Sequence, residues 1–228
     1  MKKENNPKKA VVLLSGGLDS ATVLYHAKAK GYECHCLLFR YGQRHEKELK
    51  AARQIAKKAG CFFHVIAITL PWCTSSLTDR TQQLPSGHRL EKKAMPLVSL
   101  PTTYVPGRNT IFISFALSFA ETIGAGTIFI GANAVDYSGY PDCRPDYYTA
   151  WNRLLRSLGT TMKIQTPLIR LTKEGIIRAG LALGVPYGLT WSCYKGASTP
   201  CGECDSCRYR AKGFRKAGIG DPALKKLT

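Results

Sequence analysis

Six consecutive residues, Ser15-Gly16-Gly17-Leu18-Asp19-Ser20, hold what a phosphate-binding turn needs: two glycines, two hydroxyls and a carboxylate. Gly16 and Gly17 are open to backbone angles closed to other residues, so successive N–H groups can converge on an anion at the positive end of a following helix. Ser15 and Ser20 add hydroxyl donors. Asp19 would repel phosphate unless it caps the helix or holds a magnesium ion against the phosphate. A Walker loop requires a Lys-Ser or Lys-Thr pair after its last glycine; none follows, which argues against ordinary γ-phosphoryl transfer. A bare Gly-Gly pair would more often be no more than a tight strand-to-helix turn.

A second group lies near the other end. Four of the nine cysteines, Cys193, Cys201, Cys204 and Cys207, fall within one short stretch with spacing C-x7-C-x2-C-x2-C. In a reducing compartment this set closes a tetrahedron around zinc rather than forming disulfides, and metal binding supplies the folding free energy of a segment too polar to order itself. An iron–sulfur cluster is the rival, but no Cys-Pro follows at the ferredoxin spacing. Cys34, Cys36, Cys61, Cys73 and Cys143 read as small core residues. Cys143 sits between Asp142 and Arg144, where a nucleophile would lack a histidine nearby in sequence to activate it.

The elements that must carry these groups follow an α/β order. Residues 10–14, Ala-Val-Val-Leu-Leu, form a strand buried on both faces, and residues 21–30 a helix that stops at Gly31. Residues 34–40 give a second strand. Leu49, Ala52, Ile55, Ala56 and Ala59 repeat at helical spacing up to Gly60, and residues 61–68 form a third strand. This βαβαβ opening implies parallel strands with ligands at their C-terminal ends. Residues 70–106 hold five prolines and no sustained periodicity, the mark of a lid or binding loop. Arg108 starts a nearly all-apolar helix that should be buried; residues 127–130 form a fourth strand. Pro145 opens a further helix, residues 162–166 form a fifth strand, and Thr172 caps a helix ending at Gly184. The fold class is therefore α/β: a Rossmann-like parallel sheet of about five strands with helices on both faces, plus a small C-terminal zinc-binding segment at 185–212.

With 228 residues and no linker-like composition, residues 1–228 form a single domain. The basic, apolar-flanked N-terminus is too short for a secretory leader, and no apolar run approaches the length of a membrane span, so a cytoplasmic location is expected. The net charge of +18 suits nucleic acid, an anionic substrate or a well-solvated surface, and does not choose between them.

Ser-Gly-Gly-x-Asp-Ser resembles the signature of the PP-loop ATP pyrophosphatases, which split ATP between the α and β phosphates. Tyr41-Gly-Gln-Arg-His45, Val105-Pro-Gly-Arg-Asn109, Ser138-Gly-Tyr-Pro-Asp-Cys-Arg144 and the four cysteines follow in one order. From about Ala10 to Arg210 the set is similar to the 7-cyano-7-deazaguanine synthases of the queuosine precursor pathway. The resemblance implies a carbon–nitrogen ligase that adenylates 7-carboxy-7-deazaguanine, lets ammonia displace AMP, and activates the amide with a second ATP for dehydration to the nitrile. ATP with magnesium would then be held by Leu13, Leu14, Ser15, Gly16, Gly17, Leu18, Asp19, Ser20, Ala21, Thr22 and Val23. Asp19 and Lys173 are the candidates for catalytic work, Lys173 by steadying diphosphate. Arg108, Asn109, Asp136, Tyr137, Asp142 and Arg144 offer a carboxylate clamp, amide pairing and aromatic stacking for the deazapurine. The zinc ion, one per chain, would be structural. Oligomeric state is left open, with a homodimer compatible, and direct tRNA binding is not expected. The runner-up is a PP-loop tRNA thiouridylase, which would use the positive charge but needs sulfur-carrying chemistry; a third reading, a non-catalytic zinc module for nucleic acid, conflicts with an intact phosphate turn.

Overall fold

The computed structural model describes residues 7–85, 100–135 and 140–224. Two of the expected substrate residues, Asp136 and Tyr137, lie outside the described residues. Five strands form one parallel sheet: β1 (Lys9–Leu13), β2 (Glu33–Arg40), β3 (Phe62–Ala67), β4 (Thr127–Phe129) and β5 (Lys163–Gln165), in the order β3-β2-β1-β4-β5. The helices are α1 (Leu18–Ala29), α2 (Lys47–Lys58), α3 (Arg108–Ile123), α4 (Pro145–Ser157), α5 (Lys173–Ala182) and α6 (Asp205–Lys216).

Alternation along β1 divides the core. Ala10 and Val12 face one side, packed with residues of α1, α2, α5 and α6; Val11 faces the other, packed with α3 and α4. Both faces of the sheet are thus covered, as continuous apolar strands require. The chain runs outward from β1 to β3, then returns to place β4 on the other side of β1. Strand order therefore reverses between β1 and β4, and a crevice opens at their C-terminal ends, the usual ligand site of such sheets.

Two expectations need correction, and one element was not expected. The first helix begins at Leu18 rather than at residue 21, because Gly16 makes the turn (φ 89°) and Gly17 caps the helix in an extended conformation. Asp19 and Ser20 consequently sit in the first helical turn. The apolar helix α3 is not buried all round: Ile113, Ala116 and Ala120 form its inner stripe, while Phe115 is 40% exposed because no further layer covers that face among the described residues. The cysteine segment contains a regular helix, α6, whose period was hidden by its seven polar or charged residues between Asp205 and Lys216. The cap of α5 is as expected, Thr172 Oγ1 accepting from the Gly175 N–H at 3.2 Å. Among the described residues no helix is long and apolar enough to cross a membrane.

Candidate active site

The phosphate turn joins β1 to α1 at the crevice. Gly17 N–H donates to Ser15 Oγ (3.3 Å), Ser20 Oγ donates to the Gly17 carbonyl (3.1 Å), and the two hydroxyls stand 3.0 Å apart. Gly16 is demanded twice over: its φ lies in the left-handed region, and a Cβ there would sit 2.2 Å from the Glu48 carbonyl oxygen. Gly17, with φ −77°, needs no glycine for its backbone angles. From the other side Gly131, just past β4, presses on the start of α1; a Cβ there would lie 2.9 Å from Ser20 N.

Sequence reasoning chose Asp19 and Lys173 separately, and the fold brings them together. Lys173 Nζ lies 2.8 Å from both Asp19 carboxylate oxygens, with both side chains mostly buried. Two features unseen in the sequence fix this lysine. Asn133 donates to the carbonyls of Leu168 and Leu171, shaping the turn that leads into α5. Gly213 of α6 leaves room for the lysine stem; a Cβ there would meet Lys173 Cγ at 2.6 Å.

A cavity of about 360 Å³ opens over this pair, within the size range of small-molecule sites. Leu13, Leu14, Ser15, Gly17, Leu18, Asp19, Ser20 and Lys173 line one part of it; Arg108 and Asn109 line another. Ala21 and Val23 instead pack in the core, and Thr22 donates to the Leu18 carbonyl and pairs with Tyr187 OH, both at 2.8 Å. Asp142 is buried beneath Asn109, accepting from its backbone N–H at 3.4 Å, and burial raises its carboxyl pKa. Arg144 precedes Pro145 as the N-cap of α4 and does not line the cavity. Cys143 does line it, but burial and then the Asp142 charge raise its thiol pKa, which works against the thiolate form a nucleophile needs.

The polar run after β2 contributes more than a helix start. Arg44 donates to the Asp79 carbonyl at 2.8 Å and also to those of Ser76 and Gln82, anchoring part of the proline-rich segment, whose Leu77 lines the cavity. The Tyr41 hydroxyl accepts from Arg108 at 3.2 Å. Glu48, in the first turn of α2, lines the same cavity, and burial raises its carboxyl to about 7 despite the nearby Arg108 guanidinium. A carboxyl that titrates near neutrality in a cleft is equipped to hold or release a proton. It was missed because nothing in the sequence shows that α2 turns this side inward. His45 Nε2 lies 3.0 Å from the Cys193 carbonyl, and its Nδ1 is buried with no hydrogen-bond partner among the described residues.

The sulfur atoms of Cys193, Cys201, Cys204 and Cys207 all lie within 4.8 Å of one another. Four thiolates about 2.3 Å from one ion stand roughly 3.8 Å apart, and the Cys201–Cys207 sulfur distance is 4.0 Å. The backbone N–H groups of Cys201 and Cys204 point at Cys193 and Cys201 sulfurs, each at 3.4 Å, an arrangement suited to thiolate ligands. The donor set and spacing fit a tetrahedral metal ion. The segment is stitched to the phosphate turn: Trp191 N–H donates to the Gly16 carbonyl at 3.0 Å, and its indole donates to the Cys193 carbonyl at 2.8 Å. Further on, the buried Arg210 pairs with Asp221 at 2.6 Å and donates to Thr190 and to the Tyr187 carbonyl, closing the segment onto the body.

A parallel sheet with a Ser-Gly-Gly-x-Asp-Ser turn at its switch point and a helix N-terminus behind it defines a nucleotide-binding protein of the PP-loop class. In overall shape it is similar to an NMN synthetase from Francisella tularensis, with a TM-score of 0.50 over 97% of this chain and 83% of that one, at 17% identity. Within that class the chain belongs to the family described as Queuosine biosynthesis protein QueC, which matches residues 9–218. Its relatives include the 7-cyano-7-deazaguanine synthase of Trichodesmium erythraeum, 50% identical over 95% of this chain and 100% of that protein. That of Thermoplasma acidophilum is 52% identical over 94% of this chain and 91% of its own length.

Proposed function

We propose that this protein is a 7-cyano-7-deazaguanine synthase: it joins ammonia to 7-carboxy-7-deazaguanine and dehydrates the amide to the nitrile, converting ATP to AMP and diphosphate. The observation that carries this reading is one cavity holding both halves of the chemistry, the phosphate turn with Asp19 and Lys173 on one side and Arg108, Asn109 and Glu48 on the other. The whole-length likeness to synthases of that name supports the choice of substrate.

In this reading the Ser15–Ser20 backbone and hydroxyls hold the phosphates, with Leu13, Leu14 and Leu18 beside the nucleotide. Asp19 would hold the magnesium ion that accompanies ATP, which neutralises charge on the leaving diphosphate. Lys173, paired with Asp19 at rest, is placed to follow the diphosphate as negative charge develops there. Arg108 takes the substrate carboxylate and Asn109 an amide edge of the base, Asp142 holding Asn109 in place. Arg108 charge at the carboxylate also favours its approach to the α-phosphate. Glu48 takes the proton released when ammonia attacks, and again when the adenylated amide expels AMP to form the nitrile. Asp136, Tyr137 and Arg144 complete the proposed substrate group on the strength of the resemblance alone.

The metal is zinc, structural, one ion per chain, held by the four cysteines; it fixes the segment that Trp191 and His45 tie to the active site. Residues 1–228 act as one PP-loop domain with 185–212 packed on it, in the cytoplasm, where the thiolates stay reduced. Homodimer assembly is compatible with this scheme, and tRNA is not required by it. Incubating the protein with ATP, magnesium, ammonium and 7-carboxy-7-deazaguanine should yield the nitrile with two AMP per product. ATP consumption without nitrile, or sulfur transfer to tRNA instead, would reject the reading.

A further inference from the structure

Three of the cysteines outside the metal cluster meet at the end of the sheet opposite the phosphate turn. Cys34 and Cys36 lie two apart on β2 and face the core side shared with α1 and α2; Cys61, which directly precedes β3, packs against the same side. Parallel pairing sets His35 across from Phe62, so one residue earlier Cys34 stands across from Cys61. Neighbouring strands lie about 4.8 Å apart, and a disulfide spans Cα separations of about 4.4–6.8 Å. The bond is therefore within reach with little movement of the backbone.

The three thiols differ in a way that packing does not explain. Cys34 and Cys36 are 3% and 0% exposed, whereas Cys61 is only half-buried and reaches solvent. The Cys61 thiol donates to the Ala59 carbonyl at 3.6 Å, and the Lys28 ammonium donates to that same carbonyl, which brings a cation beside the sulfur. The Cys34 thiol donates to the Tyr32 carbonyl at 3.6 Å; the neighbouring Cys34 and Cys36 thiols, and then the Lys28 charge, lower the Cys61 pKa. The two deeper thiols are raised and keep their protons. Such a partly exposed, cation-flanked thiolate with protonated thiols behind it is the arrangement of a reactive cysteine with a resolving partner.

We propose that Cys61 is a peroxide-reactive thiol that forms a reversible disulfide with Cys34. The Cys61 thiolate attacks one oxygen of hydrogen peroxide, the O–O bond breaks, and a sulfenic acid and hydroxide result. That hydroxide takes the Cys34 proton and becomes water; the Cys34 thiolate attacks the oxidised sulfur, the S–S bond forms, and the sulfenic hydroxyl leaves as hydroxide, which takes up the proton Cys61 had released. In sum two thiols are oxidised to one disulfide, and one peroxide, with the two thiol protons, becomes two waters. Exchange with a dithiol reverses the step. Cys61 enters the sheet at the N-terminal end of β3, whereas the phosphate turn leaves the C-terminal end of β1, so this thiol cannot deliver sulfur to a substrate activated there.

The test uses the full-length, metal-loaded protein, treated with hydrogen peroxide from below stoichiometry to a few-fold excess, blocked with N-ethylmaleimide and mapped by mass spectrometry without reduction. A Cys34–Cys61 crosslinked peptide is expected, appearing before metal is released and removed by dithiothreitol. In Cys61→Ser it should vanish while Cys34 stays reduced; in Cys34→Ser, Cys61 should persist as a sulfenic acid that dimedone traps. The wild-type map decides the matter even where a variant folds poorly. Oxidation of the metal cysteines ahead of Cys61, a Cys61–Cys36 link, or overoxidised Cys61 without the Cys34 link would overturn the proposal.

Discussion

Glu48 shows how one residue's environment sets its chemistry. An exposed glutamate titrates near 4.5, but here burial raises the folded-state value to about 7, so between those limits the folded protein binds a proton that the unfolded chain has lost. Stability from this group is therefore full at low pH and is lost as pH rises from about 4.5 through about 7. Glu48→Gln, which keeps the neutral shape, should flatten that part of the stability curve in urea titrations across pH. The same variant should lose the corresponding limb near neutrality in the pH profile of nitrile formation, with kcat down by about 10²-fold or more; an unchanged profile would assign the proton transfer elsewhere. The two glycines of the phosphate turn separate in the same manner. Gly16→Val must place a side chain at φ 89° and into the Glu48 carbonyl, so it should lower the urea midpoint by strain of about 1–3 kcal/mol or more and abolish turnover. At Gly17 a Cβ would meet only ordinary contacts at 3.5 Å and beyond. Gly17→Ala should therefore leave folding nearly intact and act, if at all, on the KM for ATP.

At the scale of elements, the cysteine segment is a brace for the turn rather than an appendage. Its first cysteine, Cys193, offers its carbonyl to both His45 and Trp191, and Trp191 holds the Gly16 carbonyl. Its helix α6 seats Gly213 against Lys173. Losing the metal should therefore loosen the phosphate site as well as the segment. Cys201→Ser is expected to lower zinc content below one per chain, reduce the melting temperature, and raise the KM for ATP before any loss of sheet structure by circular dichroism. A variant without metal but with unchanged ATP affinity would show the brace to be independent of the turn. How much of this was legible in the sequence follows from where the contributors lie along the chain. The turn from Ser15 to Ser20 and the four cysteines are local runs, so spacing alone exposes them, and strands buried on both faces declare themselves by composition. Glu48, His45, Asn133 and Trp191 each come from different elements, and only the fold shows that they converge. Helix α6 was hidden for a different reason: Phe214 is its one large apolar side chain in the core, and the buried Arg210–Asp221 pair adds to what holds it in place. The start of α1 was placed late because Gly17, though a glycine, serves as an ordinary extended cap.

For the molecule as a whole, the open quantity is the net charge of +18, large for an enzyme whose substrate is a free base. The cavity gives part of that charge a local use, since Arg44, Arg108, Lys173 and Arg210 reach it against Asp19 and Glu48, and both ATP and the substrate carboxylate are anions. Arg210 is already spent on Asp221, Arg44 on backbone carbonyls and Lys173 on Asp19, which leaves Arg108, bonded to the neutral Tyr41 hydroxyl, as the cation best placed to answer incoming negative charge. Among the described residues others, such as Lys50, Arg53, Lys57 and Lys58, lie on an exposed helix face, where counterions screen them. Binding to tRNA through such a surface would release counterions and fall by several orders of magnitude between about 50 and 200 mM salt. Chemistry confined to the cavity should respond differently, because buried charges are screened less. Raising salt over that range should therefore strip any bound tRNA while kcat for nitrile formation stays within about twofold and the KM for ATP rises only modestly. Added tRNA should neither stimulate turnover nor emerge modified. Turnover that falls in step with tRNA release would mean that the surface charge serves the reaction itself, and a sulfur-bearing tRNA product would replace the ligase with the thiouridylase.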